Sequence, residues 1–176
     1  ADTNSSVLSL LADGSDLYAG GFFTTIGGQN RRGIAKVAQS NGAVQSWNPS
    51  NPSTFPTVYA IAKAQDGGIL TGGLFNRMGG AYRSNAAKLD PVTGLADPTW
   101  NPSFDGGVFA ILTGYGGTPT RTPLRAVEEN IAIGGDFEFA GSTEMPGFTA
   151  VSSVGVVPGE VFCSGFEDAS SCRQLP

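Results

Sequence analysis

Apolar residues along this chain fall into short runs, each closed by a turn signal, and the runs recur in a fixed order. Residues 7–11 form an apolar strand that ends at Asp13-Gly14, a hairpin signal. Leu17-Tyr18-Ala19 follows and leads into Gly20-Gly21 and Phe23. Residues 33–38 read as a third strand, Asn41-Gly42 as a second turn, and residues 44–47 as a fourth strand ending on Trp47. Asn48-Pro49 closes the unit, since proline cannot donate into a ladder.

The same pieces return: residues 58–62, Asp66-Gly67, residues 69–71, Gly72-Gly73 with Phe75, residues 86–89, a turn at 91–94, and Trp100-Asn101-Pro102. Val58 lies 51 positions after Val7, Gly72 lies 52 after Gly20, Lys88 lies 52 after Lys36, and Trp100 lies 53 after Trp47. One period for four landmarks marks a repeat protein. A third unit starts on time at Val108, 50 positions after Val58, and then departs from the pattern. A longer segment, 113–130, replaces the tight turn, and Gly134-Gly135 with Phe137 comes 62 positions after Gly72. Residues 148–157 supply the third strand and part of a fourth, and the Trp-Asn-Pro ending is missing. Terminal repeats are often atypical because they cap an array.

The expected fold is therefore all-β: three propeller-type blades of about four antiparallel strands each, the third atypical. The repeats span about 7–57, 58–107 and 108–157 within a domain of residues 1–157, and residues 158–176 form a C-terminal tail. The glycine doublets Gly20-Gly21, Gly72-Gly73 and Gly134-Gly135 fall where a strand must approach neighbouring backbone closely. Phe23, Phe75 and Phe137, with Trp47 and Trp100, are expected to fill the space between blades.

These residues resemble the delta-60 family of bacterial propeller repeats. The match runs through Asp66-Gly67, Gly72-Gly73-Leu74-Phe75, Gly80, Lys88-Leu89 and Asp97-Pro98-Thr99-Trp100-Asn101-Pro102. It extends from residue 7 to about 157, with two strong repeats and a weaker third. Kelch repeats share the doublet and a later tryptophan, but fit the spacing less well. The stretch Phe162-Cys163-Ser164-Gly165-Phe166-Glu167 is similar to a short C-terminal Phe-x-x-Gly-Phe-Glu element of secreted proteins in some gammaproteobacteria. The resemblance implies a β-propeller and export, and it carries no activity or catalytic residues to transfer.

Composition narrows the chemistry. The 176 residues include 26 glycines and 11 prolines, which leave no uninterrupted helical stretch. No apolar run approaches the roughly 20 residues of a membrane-spanning helix. A net charge of −5 argues against nucleic acid as the main partner. There is no histidine, which removes Ser-His-Asp and Cys-His catalysis and most zinc sites. Cys163 and Cys172 are both in the tail and read as a disulfide formed in an oxidising compartment, with two free thiols as the alternative. The opening at Ala1-Asp2-Thr3 is what a chain with its leader removed would show.

Several groups raise functional alternatives. The doublets could be taken for phosphate loops, but no Gly-Lys-Ser/Thr follows them. Asp136, Glu138 and Glu144 suggest a glycosidase-like acid–base pair or a solvated end blade. Asp13 and Asp16 fall short of the six to eight ligands that calcium takes. Arg31, Arg32 and Arg83 could bind an acidic group or solubilise a rim. Trp47 and Trp100 could form a sugar-stacking platform in place of inter-blade packing. Asn4-Ser5-Ser6 fits a glycosylation sequon.

No catalytic or metal site and no cofactor is expected. The leading expectation is a non-enzymatic extracellular or cell-surface module that self-associates into a filament or closed ring, with extracellular polysaccharide as a further candidate partner. The alternatives are a carbohydrate-binding or carbohydrate-active propeller (lectin or lyase) and a scaffold fragment of a larger secreted protein. Three blades are fewer than the four to eight of a closed propeller and leave two flanks without a neighbour. The Ala1 start and cysteine-bearing end read as finished ends, which favours self-association over truncation.

Overall fold

A computed structural model describes residues 1–50, 55–114, 130–144, 148–152, 161–163 and 172–174; at residue 130 and from residue 143 onward only the backbone is described. The described residues form strands and turns with no helix. The expected long segment at 113–130 lies mostly outside the described residues, as do residues 153–157 and most of the tail.

Each repeat builds the same five elements. The first holds β1 (Val7–Asp13), β2 (Asp16–Gly21), β3 (Thr25–Ile26), β4 (Gln29–Asn30) and β5 (Ile34–Ala38). The second holds β6 (Thr57–Lys63), β7 (Ile69–Leu74), β8 (Arg77–Met78), β9 (Ala81–Tyr82) and β10 (Ala86–Leu89). The third holds β11 (Val108–Thr113), β12 (Asn130–Gly135), β13 (Phe139–Ala140), β14 (Thr143–Glu144) and β15 (Phe148–Ser152). In each, strands one, two and five form an antiparallel sheet and strands three and four form a separate hairpin. The tail adds β16 (Val161–Cys163) and β17 (Cys172–Gln174), whose ladder makes Cys163 and Cys172 Cα partners.

Two details differ from the sequence expectation. The fourth strand shrinks to one bridge, Val37 with Val44 and Leu89 with Ala96. The chain leaves the ladder there and turns inward, carrying Trp47 and Trp100 into the interior, where they are 4% and 1% exposed. The small hairpins were not anticipated. Gly27-Gly28 and Gly79-Gly80 have φ of 53°, 73°, 60° and 80°, the paired left-handed conformations of a two-residue I′ turn.

The doublets sit at a bulge repeated three times. Val7 pairs with Gly21 and Ser9 with Gly20, which leaves Leu8 as the extra residue; Tyr59 and Phe109 hold the same place in the other sheets. A Cβ on Gly21, Gly73 or Gly135 would strike the carbonyl oxygen of Ser6, Thr57 or Gly107 in the same sheet. A Cβ on Gly20 would lie 2.7 Å from Val58 and 2.9 Å from Ile61 of the next sheet. Gly72 meets Val108 and Ile111 in the same way.

The sheets accordingly pack in chain order, β1 and β2 on β6, and β6 and β7 on β11. One core joins Tyr18, Ile34 and Trp47 to Val58, Ile61, Ile69, Phe75, Met78 and Leu89. The next joins Leu70, Ala86 and Trp100 to Phe104, Val108, Ile131, Ile133 and Phe137. A smaller cluster of Phe23, Ile26, Ala35 and Val37 covers the outer face of the first sheet. Each fully buried Val or Ile at these joints contributes about 1.5–3 kcal/mol.

Gly73→Val should therefore destabilise the protein by about 1–3 kcal/mol or more, because the carbonyl it meets belongs to backbone that cannot rotate away. Thermal unfolding beside Gly14→Asn, where the added Cβ enters open space, measures it. An unchanged melting temperature for Gly73→Val would sink the packing account.

Candidate functional site

Two kinds of surface stand out: a charged cleft at the turn end of the second sheet, and the two outer flanks of the stack. The cleft, of about 540 Å³, is lined by Asp66, Lys88, Asp90, Thr93 and Asp97 among others. Lys88 sits mid-strand in β10, its side chain only 6% exposed, so its ammonium needs partners. It donates to Asp66 and lies 3.5 Å from Asp97. Burial pushes the Asp66 carboxyl up, but bonds from Lys88 and the Gly68 N–H outweigh it and hold the group low. Asp97 behaves alike: burial raises it, and hydrogen bonds from Thr99, with Lys88 close by, bring it below its ordinary value. Asp90 is held low by Thr93 and Val92.

The first repeat carries the counterpart between sheets. Lys36 lies 2.7 Å from Asp16 and also donates to the Pro91 carbonyl of the second repeat. Hydrogen bonds from Lys36, then Gln45, lower Asp16. Burial works against the Lys36 ammonium, yet Asp16 and Tyr18 outweigh it and its pKa rises. Each carboxylate in this network has an ion pair or N–H donors, so the arrangement holds charge in place. The signal was legible as Lys36 and Lys88, one period apart in apolar strands.

The other sequence candidates are also placed. Trp47 packs edge-on against Tyr18 at 5.1 Å and donates from its indole to the Asp90 carbonyl of the next repeat. Trp100 lies in the following core. Neither ring face is open to a saccharide. Phe75 is buried in the same core as Trp47, Phe137 packs on Phe104 at 4.5 Å, and Phe23 is buried under the first sheet. Arg31 and Arg83 are placed alike. Each spans its hairpin, donating to the Asn30 and Gln45 carbonyls and to the Tyr82 and Asp97 carbonyls, respectively. Asn4 gives its amide to Thr24 and accepts from the Thr24 and Thr25 N–H groups, so a glycan there would displace a bond. Asp13 pairs with Lys63 at 2.5 Å. Asp136 and Glu138 are in the β12–β13 loop, and the Glu144 side chain lies outside the described residues. No group of three or more metal-ligating side chains occurs among the described residues.

The flanks are different in kind. Val7 and Leu10 hold the places of Val58 and Ile61, yet are 40% and 62% exposed against 0% and 8%. On the far side, Leu112 is 57% exposed, Ala110 is exposed, and Gly134 is only half-buried, although the matching Ala60 and Gly72 are buried. Sequence reading marked residues 7–11 as apolar but could not show which of them lacked a cover.

Comparisons of the chain with known protein families, curated proteins and solved structures give no match. The delta-60 resemblance rests on the motif residues alone.

The charge network generates a pH prediction. Asp16, Asp66, Asp90, Asp97 and Asp105 all have lowered folded pKa values, so their stabilisation is present above the ordinary aspartate range and is lost as pH falls through the lower folded values. The melting temperature should vary little between about pH 5 and 7 and fall below about pH 4. Lys36, with a raised pKa, adds stability that disappears only at the alkaline extreme, as pH rises through its folded value. Asp66→Asn should lower the melting temperature at neutral pH and flatten the acid decline; a parallel decline in wild type and variant would refute the role of Asp66.

Proposed function

We propose that this chain is a non-enzymatic extracellular structural or interaction module, built of three propeller-type blades of the delta-60 kind and self-associating through its open flanks. The observation that carries this is the exposure of Val7 and Leu10, whose counterparts in both following repeats support the joint between sheets. Leaving such side chains in water forfeits burial that the same fold collects elsewhere. Packing of sheet on sheet in chain order, with a bulge and glycine doublet at each step, supports the blade reading.

The flanks are unlike, so association by unlike faces builds an open filament unless the rotation closes, in which case two copies make a six-bladed ring. The filament is the preferred form, because the irregular third repeat breaks the symmetry of a ring. Native mass measurement and electron microscopy at micromolar concentration should show oligomers larger than a dimer; a stable monomer removes the self-association reading.

Export is the second part of the proposal, and it rests on the tail. The ladder pairs Cys163 directly opposite Cys172. Opposed residues in an antiparallel pair lie about 4.5–5.5 Å apart at Cα, within the span of a disulfide. We propose a bond between them, which would close a small loop worth about 2–3 kcal/mol. Alkylation of the unreduced protein should modify neither cysteine, and two alkylated thiols would overturn it.

A further inference from the structure

We infer that copies join head to tail, with Val7 and Leu10 of one copy seating on the outer face of the third sheet of another, around Gly134, so that the joint between copies repeats the joint between repeats. The inference rests on the self-association proposed above and adds its polarity and register.

Within the chain this joint is made twice with the same parts. Val58 and Ile61 close over Gly20, and Val108 and Ile111 over Gly72. A linking segment then crosses onto the small hairpin of the new unit. The Gly79 N–H donates to the Pro49 carbonyl at 2.8 Å and the Gly141 N–H to the Ser103 carbonyl at 2.9 Å. The first hairpin receives the same contact, Gly27 N–H to the Asp2 carbonyl at 2.7 Å. Asn4 caps the backbone N–H groups of Thr24 and Thr25 as Asp105 caps those of Glu138 and Phe139. Residues 2–4 thus occupy the place of a linker that, inside the chain, arrives from a preceding unit.

The outer faces of the first and third sheets therefore carry the apolar and the glycine halves of one joint, without the tryptophan that each internal joint contains. The head offers Val7 and Leu10 with a linker already docked. The third repeat offers Gly134, at the register of Gly20 and Gly72, beside exposed Ala110 and Leu112 and the buried Ala132, and has no Trp-Asn-Pro segment of its own. Alternation along β11 puts Ala110 and Leu112 on the face opposite Ile111, which packs on the second sheet. Head against head would oppose Val7 and Leu10 to themselves, with no glycine to receive them. The occupant that fits the tail is a strand with apolar residues spaced as in Val7 and Leu10, and a second copy of the chain carries it. Because each copy is negatively charged overall, screening by salt should favour assembly.

The test uses one block at each end. Leu10→Asp removes the head and Leu112→Asp the tail; both positions are more than half exposed, so the fold tolerates the change. Val7→Asp is a second head variant, and circular dichroism checks each. By light scattering, each variant alone should be monomeric at concentrations where the wild type is oligomeric. An equimolar mixture of the two should give a heterodimer and nothing larger. A monomeric wild type overturns the self-association itself. A wild type that assembles, with a mixture that stays monomeric or a single variant that still forms homodimers, overturns the head-to-tail polarity alone.

Discussion

The architecture depends on how closely a strand of one unit can approach the second strand of the unit before it. Two adjacent glycines make that approach possible because neighbouring residues of a strand point to opposite sides. The first glycine of the two earlier pairs, Gly20 or Gly72, leaves room for a Val and an Ile of the following sheet, and the second glycine of all three pairs leaves room for a carbonyl at the bulge of its own sheet. A single glycine could serve only one of these faces. The entropic cost of two glycines in a strand is about 0.5–1 kcal/mol each. Fully burying Val58 or Val108 outweighs it.

The lysines show a second constraint on the same joints. A charge inside an apolar strand is tolerated only when paired, and removing one partner costs more than the pair returns. Lys36 satisfies this across the joint, binding Asp16 in its own repeat and the Pro91 carbonyl in the next. Lys88 takes Asp66 and Asp97, both from its own repeat. A bonded lysine at a joint fixes how the sheets are turned relative to each other, which an apolar contact alone does weakly.

Much of this was legible because it is local or periodic. The strand order, the turns at Asp13-Gly14 and Asp66-Gly67 and the three starts at Val7, Val58 and Val108 follow from runs and punctuation. The hairpins were missed because Gly27-Gly28 and Gly79-Gly80 read as part of one glycine-rich motif; two-residue strands carry too little pattern to separate them. The fourth strand was over-read at residues 44–47 because the apolar residues there serve a turn that buries Trp47. For Arg31, Arg32 and Arg83 the sequence suggests an acid site or a solubilised rim, and the carbonyl partners of Arg31 and Arg83 are not legible, since nothing in the spacing shows a carbonyl within reach. Exposure of a flank is a global property, settled by what is missing beside it, and no local pattern reports it.

Repeat stacks normally end in units with polar outer faces, since each unit covers only its neighbours. The outer face of the first sheet is only half adapted to this. Phe23, Ile26, Ala35 and Val37 are covered by their own hairpin and by the bridge from Thr3 to Ile26. Val7 and Leu10 project past that cover, where a Ser or Thr would have served a cap. The third sheet shows the complementary lapse, with Leu112 at a position that is Ala62 in the second. A pure cap would lose both features without disturbing the interior, because neither takes part in the two internal cores. Their positions are set by the repeat register, which puts Val7 and Leu10 where Val58 and Ile61 meet the preceding sheet, and Leu112 where Ala62 packs against the following core.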